Sequence, residues 1–269
     1  MLFFLKKLDP DLQKALLVQL RNLWTHTSTA IEGNTLTLGE TAFVLDEGLT
    51  ISGKPLKDHQ EVVGHARAID LVYDLVENKT PFTEKELFAL HKAVQTEQVV
   101  DVYKPIGAWK REPNSTVAVM GDRQVVFEYA SPDSVPSLMT DWFELFRIID
   151  QAVKPGDQQQ ALTANVRLHV SFVRIHPFFD GNGRLARLIA NIPVIRSGLP
   201  PIIIPREGRK QYIDALSEYH YSAGTIKTGD KLLPHPEALK SFEDFCRNAW
   251  KESLSIVSEI QQKQQERRI

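Results

Sequence analysis

The sequence has one cysteine, no long apolar run and no excess of either charge. Each scarcity removes a class of protein. With Cys246 alone, no internal disulfide can form, so a disulfide-stapled secreted domain is excluded and a cytoplasmic location is favoured. The thiol lies in Phe242-Glu243-Asp244-Phe245-Cys246, a setting that reads as a packed side chain and not as a nucleophile. No apolar stretch reaches the roughly 18 residues that a membrane-spanning helix needs. The apolar run at Met1–Leu5 is too short for a signal-peptide core, and its charges, Lys6 and Lys7, follow it instead of preceding it. The 32 Lys and Arg against 34 Asp and Glu leave a net charge of −2, which supplies no field for nucleic acid or a membrane surface. Repeats and low-complexity tracts are absent. What remains is 269 residues, 42% hydrophobic and 25% charged, an ordinary soluble globule of one large or two small domains.

What the chain does have is concentrated in His176-Pro177-Phe178-Phe179-Asp180-Gly181-Asn182-Gly183-Arg184-Leu185-Ala186-Arg187. Gly181 and Gly183 lack a Cβ, so backbone N–H groups can come close to a ligand. Leu185, Leu188, Ile189 and Ile192 follow at helical spacing, which puts the glycines just before a helix N-terminus, where unpaired N–H groups and the helix dipole favour an anion. Arg184 and Arg187 are three apart and share a helix face. Two planar guanidinium forks suit a polyphosphate better than a lone carboxylate. Asp180 is a hard oxygen ligand, placed where a phosphate-bound Mg²⁺ would need one. His176 is the group here that titrates near neutrality, which suits a general base. Pro177 disfavours helix at His176, so the stretch reads as helix end, loop, helix start, with Phe178 packed inward.

The rest of the chain is mostly helical in pattern. Asp9-Pro10 starts a helix whose stripe, Leu12, Leu16, Leu20, Leu23 and Trp24, runs to about Trp24. Ser28 and Glu32 are four apart, so one helical turn stacks them, and Gly33-Asn34 can end it. Thr37 and Glu40 form a capping box for a helix that Gly48 closes, and Thr83 and Glu86 form a second. Residues 58–77 and 140–151 carry helical stripes, and 131–138 reads as a Pro/Ser loop. His65 and His91 read as packing or capping histidines. Thr116–Met120 and Gln124–Glu128, separated by Gly121-Asp122, predict a β-hairpin. From Gln160 the stripe Leu162, Val166, Val170 and Val173 leads into the His176 segment. Pro193 kinks or ends the helix after it, and Arg206–Tyr219 is helical again. A long helix from Ser241 ends in a polar tail, Gln261–Arg268, that reads as solvated or frayed.

The stretch 176–187 resembles the signature of the Fic family, H-x-F-x-(D/E)-G-N-G-R-x-x-R, at every fixed position. The resemblance implies an all-α Fic (Fido) fold with one β-hairpin, the flap, over the active site. It also implies a protein adenylyltransferase that moves AMP from ATP, with Mg²⁺, to a Ser, Thr or Tyr hydroxyl of a target protein or of the chain itself. On that resemblance His176 is the base. Asn182 and the N–H groups of Gly181 and Gly183 hold the α-phosphate, Arg184 and Arg187 the β- and γ-phosphates, and Asp180 the metal. Ser28-Thr29-Ala30-Ile31-Glu32-Gly33 resembles the family's inhibitory motif, (S/T)-x-x-x-E-(G/N), which implies that Glu32 pairs with Arg187 and keeps ATP in a non-productive pose. Val117, Val119 and Gly121 fall on the implied flap, which holds the target by strand-like pairing. Arg209-Lys210-Gln211-Tyr212 resembles the segment whose aromatic helps form the adenine pocket. The expected division is an N-terminal region with the inhibitory motif (1–55), a Fic core (56–222) and a C-terminal helical extension (223–269), with no room for the DNA-binding domain of longer relatives. The same site leaves open de-AMPylation, transfer of another phosphate-containing group, or a non-catalytic nucleotide-sensing module. It also leaves a homo-oligomer open.

Overall fold

The computed structural model describes residues 2–95, 101–120 and 123–268. It is a helical assembly with one small antiparallel ribbon, as the sequence pattern requires. In chain order the main elements are α1 (Pro10–Ile31), α2 (Leu38–Glu47), α3 (Leu56–Glu77), α4 (Glu84–Val94), β1 (Ser115–Met120), β2 (Arg123–Glu128), α5 (Val135–Ala152), α6 (Gln158–Ile175), α7 (Asn182–Ile189), α8 (Ile192–Arg196), α9 (Arg209–Ala223) and α10 (Lys240–Glu266). Among the described residues no helix is long and apolar enough to cross a membrane.

Local chemistry sets several boundaries. The Thr37 N–H donates to Glu40 Oε2 at 2.8 Å and the Glu40 N–H to Thr37 Oγ1 at 3.2 Å, so both orphan donors at the start of α2 are satisfied. Gly48 closes the same helix in the left-handed conformation, φ 68°. The first helix is longer than its Leu stripe suggests. It continues without a break through Ser28 to Ile31, because Thr25 and Thr27–Ile31 are buried against neighbouring helices, and tertiary packing outweighs the modest helix propensity of the threonines. Pro136, expected in a loop, instead sits in the first turn of α5, where its missing N–H costs nothing. Pro193 occupies the first turn of α8, which separates that short helix from α7.

α6 is the axis of the molecule. Leu168, Phe172 and Ile175 join the larger apolar cluster with residues of α1, α3, α4, α5, α7 and α10, while Leu162, Val166 and Val170 join a second one with α9 and α10. Trp142 of α5 donates its indole N–H to Ser171 Oγ at 3.0 Å, a buried polar tie between two apolar helices. Arg174, 3% exposed, donates to the carbonyls of Ala223 and Lys231 at 3.0 and 2.8 Å, which fixes the end of α9 against α6. Cys246 is fully buried in the second cluster, and burial pushes its thiol pKa up, as expected of a packed thiol.

The polar end of α10 differs from its local reading. Gln264 is 4% exposed, its side-chain oxygen accepting from the Asp9 N–H at 2.5 Å and its amide donating to Asp9 Oδ2 at 3.1 Å. Arg267 reaches Asp11 Oδ2 at 2.7 Å. The acidic start of α1 supplies partners that a scan of the tail by itself cannot see.

Candidate active site

The site forms where α6 ends. His176 closes that helix with a left-handed backbone, φ 54°, and its N–H still donates to Phe172 O at 3.0 Å. The chain then turns through Pro177 to Phe178, which is fully buried and stacks on His91 with ring centroids 3.9 Å apart. His91 accepts from the Gly107 N–H at 2.8 Å through Nδ1, which leaves Nε2–H to donate to Asp180 O at 3.2 Å. Burial pushes the His91 pKa down to about 4, so this pin is a neutral one.

Gly181 follows with φ 82°, a conformation that costs other L-residues strain. It leads into α7, whose first N–H groups have no partner within the helix. The Asn182 side chain is turned into the loop. Its Oδ1 accepts from the Phe178 N–H at 3.0 Å and its Nδ2 donates to Phe178 O at 2.8 Å. The amide expected on a phosphate thus staples the turn that presents the backbone, although the residue also borders the cavity.

Around this turn lies a cavity of about 530 Å³. Its wall carries His176, Asp180, Gly181, Asn182, Gly183, Arg184, Arg187 and Tyr212 from the expected set, with Glu32 from the end of α1 and Thr116, Val117 and Ala118 from β1. Val117 is 61% exposed, and β1 pairs only with β2 among the described residues. Val119 faces Gln124 in the strand register. Gly121 lies outside the described residues.

Arg187 is the most heavily engaged side chain. It is 3% exposed, donates from Nε to Ser28 Oγ at 2.9 Å, from Nη2 to Ser28 O at 3.0 Å and to Glu32 Oε1 at 2.6 Å, and from Nη1 to the Tyr212 hydroxyl at 3.3 Å. Burial opposes its charge, but the Glu32 carboxylate and Tyr212 outweigh that and raise its pKa. Tyr212, expected near an adenine, is 2% exposed and also bonds His169 Nε2 at 2.9 Å, so its hydroxyl holds the guanidinium in place. The Glu32 carboxylate is itself an anion at the start of α7: a Cβ on Gly183 would lie 2.7 Å from Glu32 Oε1 and 3.2 Å from Arg187 Nη1. The space a glycine leaves open there already receives a negative group.

Arg184 is 6% exposed and anchored by Val94 O at 2.8 Å, with Nη2 on Asp180 Oδ2 at 3.1 Å. The Asp180 side chain is 68% exposed and also accepts from Gln95 Nε2 at 3.2 Å. Desolvation raises its pKa, yet Arg184, Gln95 and the Gly181 N–H together hold it below the usual carboxylate value. Among the described residues no three His, Cys, Asp or Glu side chains cluster as a metal cage.

His176 donates from Nδ1 to Val173 O at 3.2 Å, which leaves Nε2 unprotonated and able to accept. Burial, then the positive charge of Lys110, pushes its pKa down to about 3, so the ring is neutral at pH 7. Its face lies on Tyr129, centroids 3.8 Å apart and planes 10° from parallel. The Tyr129 hydroxyl bonds Thr116, so the hairpin and the imidazole are mechanically joined. Sequence reasoning did not find Tyr129, Lys110, Asn114 or Arg209. Arg209 donates to Ile31 O at 2.7 Å and caps the end of α1 beside Glu32. Of the four, only Arg209 lies in a segment singled out from the sequence, the one ending in Tyr212, and each acts through a fold contact.

This constellation defines a family. A model of the Fic/DOC family matches residues 81–193. The chain is 31% identical over 202 residues to protein adenylyltransferase fic-1 of Caenorhabditis briggsae, covering 72% of this chain and 36% of that one. It is 32% identical over 196 residues to protein adenylyltransferase Fic of Drosophila grimshawi, again covering 72% and 36%. The chain therefore spans little more than a third of the length of these curated relatives. A Fic-domain-containing signalling protein from Bacteroides thetaiotaomicron superposes with a TM-score of 0.82 at 28% identity, covering 96% of this chain and 92% of that one. Residues 81–193 thus carry a Fic/DOC family domain.

Proposed function

We propose that the protein is an adenylyltransferase that transfers AMP from ATP to a hydroxyl group of a target protein, and that Glu32 restrains the reaction. The observation that carries this reading is one cavity holding a neutral histidine with a free Nε2, a glycine turn at a helix N-terminus, and two buried arginines. A hydroxyl in the mouth gives its proton to His176 Nε2 as its oxygen attacks the α-phosphorus. The bond from that phosphorus to the bridging oxygen breaks, and pyrophosphate leaves. The N–H groups that start α7, on the turn Asn182 holds in shape, face the charge that develops at the α-phosphate. Arg184 and Arg187 receive the β- and γ-phosphates. Val117 and its neighbours on the free edge of β1 support a strand-like seat for the target segment.

Asp180 fits Mg²⁺, since that ion commonly takes one or two carboxylates and completes its octahedron with phosphate oxygens and water. When bound, Mg²⁺ would neutralise charge on the leaving phosphates.

The 2.6 Å pair with Arg187 occupies the guanidinium that a γ-phosphate needs, which supports the restraint by Glu32. On this reading residues 1–55 are regulatory, 56–222 are the catalytic core, and 223–269 brace both. The deciding experiment is label transfer from α-³²P-ATP with Mg²⁺, in lysate, by wild-type protein and Glu32→Gly, followed by mass spectrometry of the labelled protein. Labelling by the variant above wild type, with an added mass of AMP on a hydroxyl residue, is the expected result. Absence of label from both proteins overturns the transfer reading, and equal labelling overturns the restraint.

A further inference from the structure

The partners of Arg187 divide by origin. Among the described residues, three of its four side-chain hydrogen bonds go to α1 or to the residue that ends it: Nε to Ser28 Oγ at 2.9 Å, Nη2 to Ser28 O at 3.0 Å and Nη2 to Glu32 Oε1 at 2.6 Å. The fourth runs from Nη1 to the Tyr212 hydroxyl on α9, at 3.3 Å. The guanidinium carbon also lies 5.7 Å from the centre of the Tyr212 ring. Tyr212 is therefore the partner that ties Arg187 to the helices beneath the cavity and not to α1. On the reading above, Glu32 gives up the guanidinium before a γ-phosphate takes it. The Tyr212 contact does not depend on that exchange.

This contact has a direction. A guanidinium only donates, so the Tyr212 oxygen accepts from it, and the single phenolic proton has to point elsewhere. Across from the hydroxyl stands His169 Nε2 on α6, at 2.9 Å. Tyr212 is 2% exposed and His169 1%, so the proton is out of reach of bulk water. Phe242 of α10 closes the pair off, its ring centroid 5.0 Å from that of His169 and 6.0 Å from that of Tyr212. A hydroxyl proton without an acceptor at that depth is costly, which assigns it to His169.

An imidazole Nε2 accepts only when the ring proton sits on Nδ1. Burial holds the His169 pKa down to about 3, so the ring carries one proton at pH 7. The Nδ1–H tautomer is the one that satisfies Tyr212. With the other tautomer Nε2–H would face the hydroxyl as a donor, and the phenolic proton would be left without a partner beside a second donor, Nη1.

We propose that His169 is a positioning residue for Arg187: by accepting the Tyr212 proton at Nε2 it turns the phenolic lone pairs toward Nη1, and so keeps the guanidinium aimed into the cavity while Glu32 and a phosphate exchange. The chain of bonds runs from α6 through α9 to α7, and no member of it lies on α1. Ser28 and Glu32 can thus regulate Arg187 without being its only support.

Two full-length variants separate acceptor from bulk. His169→Gln puts an amide oxygen near the place of Nε2 and can still accept. His169→Leu fills the site and cannot. The first readout is the His169 tautomer by ¹⁵N NMR of histidine-labelled protein at pH 7, its signals identified by their loss in His169→Gln. It needs neither nucleotide nor turnover. An unprotonated Nε2 is expected, and a protonated Nε2 overturns the proposal. The second readout is kcat/KM for ATP during AMP transfer in the Glu32→Gly background. His169→Leu should lower it about tenfold, the scale of one misdirected buried hydrogen bond, while His169→Gln should stay within about threefold. Adding Tyr212→Phe exposes the route: with the hydroxyl gone, His169→Leu should cost no more than about a further threefold. Equal losses from His169→Leu with and without the hydroxyl overturn the proposal and make His169 a packing residue. If His169→Leu does not fold, His169→Gln decides, and a folded Gln variant that loses transfer as Tyr212→Phe does overturns it. Only the kinetic readout rests on the transfer reading: if Glu32→Gly transfers nothing, that reading fails while the tautomer still decides which way the Tyr212 proton points.

Discussion

Replacing Glu32 by Gln tests the restraint with the least disturbance, because the two side chains have the same shape and only the charge is lost. Arg187 keeps its bonds to Ser28 and Tyr212 but loses its counter-ion. Breaking a fully buried pair typically costs about 3–5 kcal/mol. Glu32 is 42% exposed here, and solvent screening reduces the loss to roughly 2 kcal/mol. For a chain of this size, 2 kcal/mol corresponds to a drop of roughly 4 °C in Tm. ATP binding should then restore what was lost, since a phosphate supplies the missing negative charge. The thermal shift produced by saturating ATP-Mg²⁺ should therefore be larger in Glu32→Gln than in wild type.

The same substitution releases one guanidinium edge for the γ-phosphate. A hydrogen bond to a charged group contributes about 1.5–3 kcal/mol, which is roughly a ten- to hundredfold gain in transfer rate if it forms with the productive pose. Scanning calorimetry with and without ATP-Mg²⁺, beside label transfer from α-³²P-ATP, reads both effects. A variant with the lower Tm, intact ATP binding and no faster transfer would refute the reasoning. It would show that the ion pair stabilises α1 without gating the chemistry.

Other consequences are simpler. His176→Ala in the Glu32→Gly background should lower AMP transfer by roughly 10²–10⁴-fold while leaving the calorimetric affinity for ATP nearly unchanged. Gly181→Ala should lower stability by about 1–2 kcal/mol, because φ is 82° there and the added Cβ would meet Gln95 Nε2 at 2.9 Å; urea melts measure it, and nucleotide affinity should fall with it. Asn182→Ala should destabilise by about 1–3 kcal/mol through the orphaned Phe178 groups; an unchanged Tm with lost ATP binding would instead favour direct contact with phosphate. Acid should weaken the fold before carboxylates titrate. His91 and His169 are held neutral, at about 4 and about 3 against an ordinary 6.5, so their stability is full above pH 6.5 and is lost as pH falls toward the folded values. At pH 5 each contributes a loss of roughly 2 kcal/mol, about 4 kcal/mol together, visible as a falling urea midpoint between pH 7 and pH 5.

The parts legible from the sequence are those fixed by short-range chemistry. The capping box at Thr37–Glu40 depends on residues three apart, the hairpin on two β-rich runs and a turn, and the end of α6 on Pro177. The residue types of 176–187 carry their chemistry wherever the fold puts them, which is why the loop could be read as an anion site. The reach of Glu32 to Arg187, 155 residues away, is long-range, and only the resemblance to a family suggested it. The missed features share one trait. Lys110, Asn114, Tyr129 and Arg209 have ordinary neighbours in sequence and acquire a role through contacts with distant segments. Asn182 shows the converse: it was noticed, but an amide beside a glycine turn suits a phosphate and a loop carbonyl equally, and burial sends it to the carbonyl. Gln264 and Arg267 read as solvated because their partners, Asp9 and Asp11, lie at the other end of the chain.

The way Arg187 is held explains how one residue could serve both restraint and catalysis. A guanidinium has five N–H donors in a rigid plane. Here Ser28 takes Nε and shares Nη2, Tyr212 takes Nη1, and the remaining contact, through Nη2, goes to Glu32. Exchanging a carboxylate oxygen for a phosphate oxygen alters that one contact and leaves the others in place. Neither α1 nor the Ser28 turn has to unfold, and the arginine does not have to be desolvated again. Arg209 holds the end of α1 through Ile31 O, so the backbone at Glu32 can stay docked while its side chain, 42% exposed, swings out. Switching then needs only a difference of a few kcal/mol between two anions competing for one edge, which is within the range a bound nucleotide or a partner protein can supply.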